Sequence, residues 1–166
     1  MATFEAAIDY VLDNEGGKVD NPHDHGGRTN FGITQRTYDK GKTHFTINDV
    51  FDLTREQAKE WYRCEEWGMR GLDYIESQQV ATKIFDSGVN MGMGTAFKLA
   101  QIAVGAYPDG SIGPNTLKAI NSDPAREFLI KYVVLLKKHY IDIESAHPDQ
   151  RIFDKGWMSR AAKLPA

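Results

Sequence analysis

Glu15 is the residue of this sequence best placed for acid chemistry. Phe4, Ala7, Ile8, Val11 and Leu12 precede it at three-and-four spacing and make one apolar stripe of a helix. Glu15 continues that stripe at its C-terminal end. Desolvation there and the negative end of the helix dipole both favour the protonated carboxyl, which is the form a general acid needs near neutral pH. The plainer reading of the same pattern is an exposed glutamate at a frayed helix end.

Asp20 and Asp24 follow the helix stop at Gly16-Gly17. A chain that folds back there brings either aspartate to face Glu15 across a groove. Two carboxyls so arranged suit glycosidic cleavage. One protonates the leaving oxygen, and the other activates water or holds or attacks the sugar cation. Thr29 and Asn30 could orient that water. As ordinary turn residues the aspartates would instead cap local N–H groups.

His23 and His25 raise a zinc reading, with Asp20 or Asp24 and His44 or His139 as further ligands and a peptidase or amidase as the activity. The pair lacks HExxH spacing, and loop histidines explain it more simply. No Walker loop, dinucleotide fingerprint or calcium loop occurs. Neither a metal nor an organic cofactor is expected. Indole faces stack on sugar rings, but Trp61 shares a stripe with Ala58 and Tyr62 and reads as core. Trp67 and Trp157 suit either role.

The elements that must hold these residues are mostly helical. The first helix starts at a Thr3 cap. Residues 18–53 are rich in turn material and read as a folded loop or small β-ribbon. Thr54 and Gln57 form a capping box that opens a helix carrying Trp61 and Tyr62. A further helix spans about Ser77 to Val89 and is broken by the glycines of 88–94. Apolar stripes at Ala96–Val104, at Leu117–Ile120 and from Phe128 to about Ile143 predict three more helices. Asp123 is expected to cap the longest, with Pro124 at its first position. A last helix is expected from Gln150 to Ala162.

Composition sets the outer limits. The chain has 166 residues, 41% of them hydrophobic, which is enough for one real core and argues against disorder. Its 20 basic and 23 acidic side chains argue against a broadly basic nucleic-acid surface. The sole cysteine, Cys64, excludes an intrachain disulfide framework. Charge is uneven, with a net −6 over residues 1–90 and +3 over 91–166. The start shows no signal peptide, and no long apolar run predicts stable membrane insertion. Synthesis in the cytoplasm is therefore expected.

The string Glu15-Gly-Gly-Lys-Val-Asp-Asn-Pro-His-Asp-His-Gly-Gly-Arg-Thr-Asn-Phe-Gly-Ile-Thr34 resembles the opening of glycoside hydrolase family 108. These are N-acetylmuramidases of the lysozyme-like superfamily, often phage endolysins. Phe85-Asp-Ser-Gly-Val-Asn-Met-Gly92 and Asp109-Gly-Ser-Ile-Gly-Pro-Asn-Thr-Leu117 also match the family, the latter within its predicted peptidoglycan-binding region. The resemblance implies a mainly α, lysozyme-like α+β fold. It would divide into a catalytic region at 1–92 and a helical peptidoglycan-binding region at 93–166 packed on it.

The resemblance also makes Glu15 the catalytic acid. Phage lysozymes of the same superfamily place an Asp and then a Thr downstream of the acid. Asp24 and Asn30 stand at the matching positions here, with Thr29 adjacent. Lys18 stands where relatives often carry an aromatic residue. The implied reaction is hydrolysis of the β-1,4 bond between N-acetylmuramic acid and N-acetylglucosamine in peptidoglycan glycan strands. The rivals are a lytic transglycosylase using the same acid and a non-catalytic wall-binding module. A monomer that acts in the periplasm or on the wall is expected. It would be delivered through a holin or a secretion system, with an immunity protein as a further partner.

Overall fold

The computed structural model describes residues 1–15, 17–20, 27–40 and 46–166. Helix α1 (Phe4–Asn14) buries the five stripe residues read from the sequence. Thr3 stands at its N-cap, but its hydroxyl does not cap the helix. The Thr3 backbone N–H instead donates to Gln78 Oε1 at 2.8 Å, which ties the start of α1 to α4 (Gln78–Met91).

Helix α4 is the centre of the molecule. Every residue from Val80 to Gly88 is buried, so this stretch carries no solvent face. Helix α1 packs on it, and α5 (Met93–Ala103) returns along it after a turn at Gly92. Gly92 has a φ of 89°, a conformation that costs a glycine little and a side-chain-bearing residue much more. Phe4, Tyr62, Trp67 and Phe85 meet in edge-to-face pairs, with Trp67 and Phe85 centroids 5.3 Å apart.

A small ribbon follows α1. Strands β1 (Thr29–Asn30) and β2 (Ile33–Thr34) pair antiparallel, Thr29 opposite Thr34 and Asn30 opposite Ile33. The linking residues Phe31 and Gly32 both have positive φ, 52° and 78°. A two-residue turn of that hand matches the twist of the strands it joins. Helix α2 (Gln35–Lys40) comes directly after, inside the segment expected to be loop or ribbon.

The capping box forms as read. Thr54 Oγ1 accepts from the Gln57 backbone, and Gln57 Oε1 accepts from the Thr54 N–H, opening α3 (Arg55–Tyr62). The chain then continues through a π-helical segment, Arg63–Trp67. Helix α6 (Pro114–Ser122) has its proline at the first position. Helix α7 (Ala125–Ala146) begins one residue later than expected, with Pro124 itself at the N-cap. Asp123 ends α6 and pairs with Lys131 at 2.5 Å. The expected last helix divides into a 3-10 turn, Pro148–Phe153, and α8 (Asp154–Ala162).

The architecture is mainly helical with one small sheet among the described residues, in keeping with the lysozyme-like α+β fold expected. No helix among those residues is long and apolar enough to cross a membrane.

Candidate active site

Glu15 occupies the C-cap of α1. Its backbone has left the helix (φ −78°, ψ 133°), while its N–H still donates to the Val11 carbonyl. The side chain is 14% exposed. The apolar stripe thus carries the carboxyl into the body of the protein instead of out to solvent.

Its surroundings are not purely apolar. Arg160, on α8, places Nη2 2.6 Å from Glu15 Oε1, and that oxygen accepts no aligned hydrogen bond among the described residues. The same guanidinium grips Asp86 on α4, with Nη2 at 2.9 Å and Nε at 3.2 Å from Oδ1. Asp86 is 1% exposed, and Asn14 donates to it as well, at 3.1 Å. Burial works against the Arg160 charge, but the Asp86 and Glu15 carboxylates outweigh it and hold the guanidinium well above its ordinary pKa. Arg160 is a fixed cation shared between two acids.

The other side of Glu15 is formed by the ribbon turn. A Cβ built at Gly32 would lie 2.7 Å from Glu15 Oε2 and 2.8 Å from Tyr62 Oη, so the backbone approaches the carboxylate where only glycine fits. Tyr62 Oη donates to the Phe31 carbonyl at 2.9 Å and pins the turn in place. Burial, reinforced by the Glu15 charge, raises the Tyr62 pKa well above its ordinary value. Its hydroxyl therefore stays protonated.

Two hollows are lined by neighbours of Glu15. One, of about 550 Å³, is lined by Asn14, Asn90, Phe153, Trp157, Arg160 and Lys163. The other, of about 250 Å³, is lined by Gly32, Thr34, Trp61, Tyr62, Glu66 and Met93 among others. Glu15 pairs with Arg160, which lines the first, and is approached by Gly32, which lines the second. Trp157 borders the larger hollow and stacks on Tyr140, with ring centroids 5.2 Å apart. Trp67 is a core residue at 4% exposure.

The remaining candidates are placed as follows. Thr29 stands in β1, half-buried, with its hydroxyl donating to the Gly27 carbonyl at 3.1 Å. Asn30 is turned inward at 2% exposure. Its amide donates to the Val50 and Leu53 carbonyls, both at 3.1 Å, and anchors the ribbon to the segment before α3. Its amide N–H groups are thus spent on buried carbonyls, which gives Asn30 a supporting role in the ribbon. Asp20 is exposed, 3.6 Å from Arg28. Asp24, His23, His25 and His44 lie outside the described residues. Among those described, no group of three or more His, Cys, Asp or Glu is placed to hold a metal ion.

Two functional candidates were missed in the sequence. Arg160 has no local motif and acts on a residue at the other end of the chain. Glu66 lines the smaller hollow from the π-helical segment that follows Tyr62.

One further contact fixes α8. Lys83 is fully buried in α4, and its amine donates to the Arg160 and Lys163 carbonyls, each at 2.7 Å. Burial lowers its pKa to about 8, with nearby Asp86 opposing the shift.

The chain is similar over residues 8–92 to the family described as Glycosyl hydrolase 108 and over residues 95–162 to the Predicted Peptidoglycan domain. Among solved structures it is similar to Brucella abortus SagA. The identity is 29%, the TM-score 0.80, and the match covers 96% of this chain and 89% of that one. No curated protein matches. With the first family's match spanning half of its length, the chain belongs to the glycosyl hydrolase 108 family.

Proposed function

We propose that Glu15 is the proton donor of this glycoside hydrolase. Family membership makes the enzyme a muramidase acting on peptidoglycan, and the bond cleaved is the β-1,4 link between N-acetylmuramic acid and N-acetylglucosamine. The observation that carries the residue assignment is the nearly buried Glu15 carboxyl itself, paired with a cation whose residue lines the larger hollow.

Proton transfer to the glycosidic oxygen leaves a carboxylate on Glu15. That charge develops beside Arg160, which is already held in place by Asp86. The guanidinium is in place to pair with the carboxylate that proton donation leaves. In this reading Asp24 supplies the second carboxylate, which stabilises the oxocarbenium-like centre or positions water. Thr29 assists from β1, and Asn30 holds the ribbon that carries it. Residues 93–166 form the wall-binding part, with α8 returned to the catalytic part at 1–92. The enzyme works as a monomer in the periplasm or on the wall, reached through a holin or a secretion system.

Digestion of purified peptidoglycan by the wild type and by Glu15→Gln tests this. The wild type should release new reducing ends on muramic acid. The variant should lose about 100- to 10,000-fold in rate, the usual contribution of a general acid. Undiminished release by the variant refutes the assignment. Fragments lighter by one water, with anhydro ends, identify transglycosylation instead. Binding without any cleavage by the wild type identifies a wall-binding module.

A further inference from the structure

Lys83 is a charged residue on a stretch of α4 that has no solvent face. At 0% exposure its amine does not meet substrate. A lysine in such a place has lost its water and weakens the fold unless its N–H groups find acceptors. Asp86, three residues further along α4, is not that acceptor. Its Oδ2 stays 4.0 Å from the amine, beyond hydrogen-bonding range. The amine turns to the main chain instead. It donates to the carbonyls of Arg160 and Lys163 at the C-terminal end of α8, where the last turn has no N–H groups of its own to offer them. That end is also the negative end of the helix dipole, which favours a cation.

Arg160 is thereby held from α4 at both of its ends. Lys83 holds its carbonyl at 2.7 Å, and Asp86 holds its guanidinium at 2.9 Å. The two holding residues lie three apart on one helix and so share a face. The contacts close into a ring. Lys83 donates to the Lys163 carbonyl, the Lys163 amine donates to Asn14 Oδ1, and the Asn14 amide donates to Asp86 Oδ1. Arg160 donates to the same Asp86 oxygen, and its own carbonyl returns to Lys83. The ring joins α1, α4 and the end of α8. Glu15 follows one ring member, Asn14, in the chain and pairs with another, Arg160, through space.

Methionine has nearly the length of lysine and carries no charge. Packing alone would be served as well by methionine, without the cost of a buried cation. Methionine cannot bind two carbonyls. We propose that Lys83 is a positioning residue for proton transfer, clamping the α8 backbone so that the guanidinium shared with Asp86 meets the Glu15 carboxyl. The proposal rests on Glu15 as the proton donor. Without the clamp, Asp86 still holds the guanidinium, but the backbone behind it is free to shift and the reach to Glu15 changes. An offset of about 1 Å at a reacting group can cost on the order of 100-fold in rate. Lys83 lies in the segment matched by the hydrolase family and Arg160 in the segment matched by the peptidoglycan domain, so the clamp couples the two.

The test uses the full-length chain at pH 7, with soluble uncross-linked peptidoglycan strands as substrate. Lys83→Met should lower kcat about 10- to 100-fold and leave KM within about threefold. Circular dichroism checks that the fold is kept. The same substitution is then made in Glu15→Gln, whose residual cleavage is quantified from fragments by mass spectrometry. There it should change the rate by less than about threefold, because no acid is left to position. A general loosening of the fold lowers the rate by the same factor in both backgrounds. Wild-type kcat in Lys83→Met, an equal loss in both backgrounds, or a loss confined to KM overturns the proposal. Should Lys83→Met not fold, Lys83→Gln, which reaches one carbonyl at most, goes through the same cycle and must lose at least about fivefold in kcat.

Failure of the underlying reading has a different signature. Undiminished cleavage by Glu15→Gln removes the proton donor, whatever Lys83→Met does. Wild-type kcat in Lys83→Met beside an impaired Glu15→Gln removes only the clamp.

Discussion

Arg160 Nη2 lies 2.6 Å from Glu15 Oε1, so the acid's neighbouring cation comes from the last helix of the chain. Neither family segment contains both residues. The match to the hydrolase family ends at residue 92, and Arg160 lies within the match to the peptidoglycan domain. The two segments therefore meet at the proposed proton donor.

Arg160→Met should impair both activity and stability. The activity loss is about 100- to 1,000-fold, the scale for removing one preorganised partner of a developing charge. The stability loss is about 3–5 kcal/mol, because Asp86 is left buried without its partner. Arg160→Lys keeps the charge but cannot hold two carboxylates with one planar fork, and should fall between. Peptidoglycan turnover and urea unfolding of the same preparations separate the effects. Unchanged turnover in Arg160→Met would remove the cation from the mechanism.

Gly32→Ala should damage catalysis through position alone. The new methyl would overlap the Glu15 carboxylate and the Tyr62 hydroxyl, at a φ of 78° that alanine tolerates poorly. A carboxyl displaced by about 1 Å can lose on the order of 100-fold in rate. The loss should appear in kcat more than in KM, with the fold retained by circular dichroism. Wild-type kcat in this variant would show that the ribbon does not set the acid's position.

Lys83 makes stability depend on pH in a defined direction. Its pKa falls from 10.5 to about 8 on folding. Below pH 8 both states hold the proton, and the folded state bears the cost of a buried charge. Between pH 8 and 10.5 the unfolded chain keeps a proton that the folded one has released, so stability rises with pH. The gain is about 2 kcal/mol between pH 7.5 and 9.5. Chemical unfolding at those two values should show it in the wild type and not in Lys83→Met. A flat or falling wild-type profile would contradict the assignment.

What could be read beforehand followed the range of the interactions. The α1 stripe and the Thr54–Gln57 capping box are local, and both formed as the residue spacing indicates. The position of Asn30 relative to Glu15 suggests a water-orienting residue, but a two-residue strand does not say which side meets the core. The structure turns it toward the Val50 and Leu53 carbonyls. Trp61 was rightly placed in the core, but its unpaired indole nitrogen appears only when every neighbour is known. Glu66 lies in a π-helical segment that residue spacing does not signal. Arg160 lay beyond any window, since nothing near it in the chain signals a carboxylate near the start.

The order in which a ribosome makes this chain gives the Lys83 contact a temporal meaning. Helices α1 and α4, with Glu15, Asp86 and Lys83, are synthesised well before α8. Until α8 arrives, Asp86 has no guanidinium and the Lys83 amine has no carbonyls to meet. The Glu15–Arg160 pair therefore forms only after the C-terminal helix has been made and has docked.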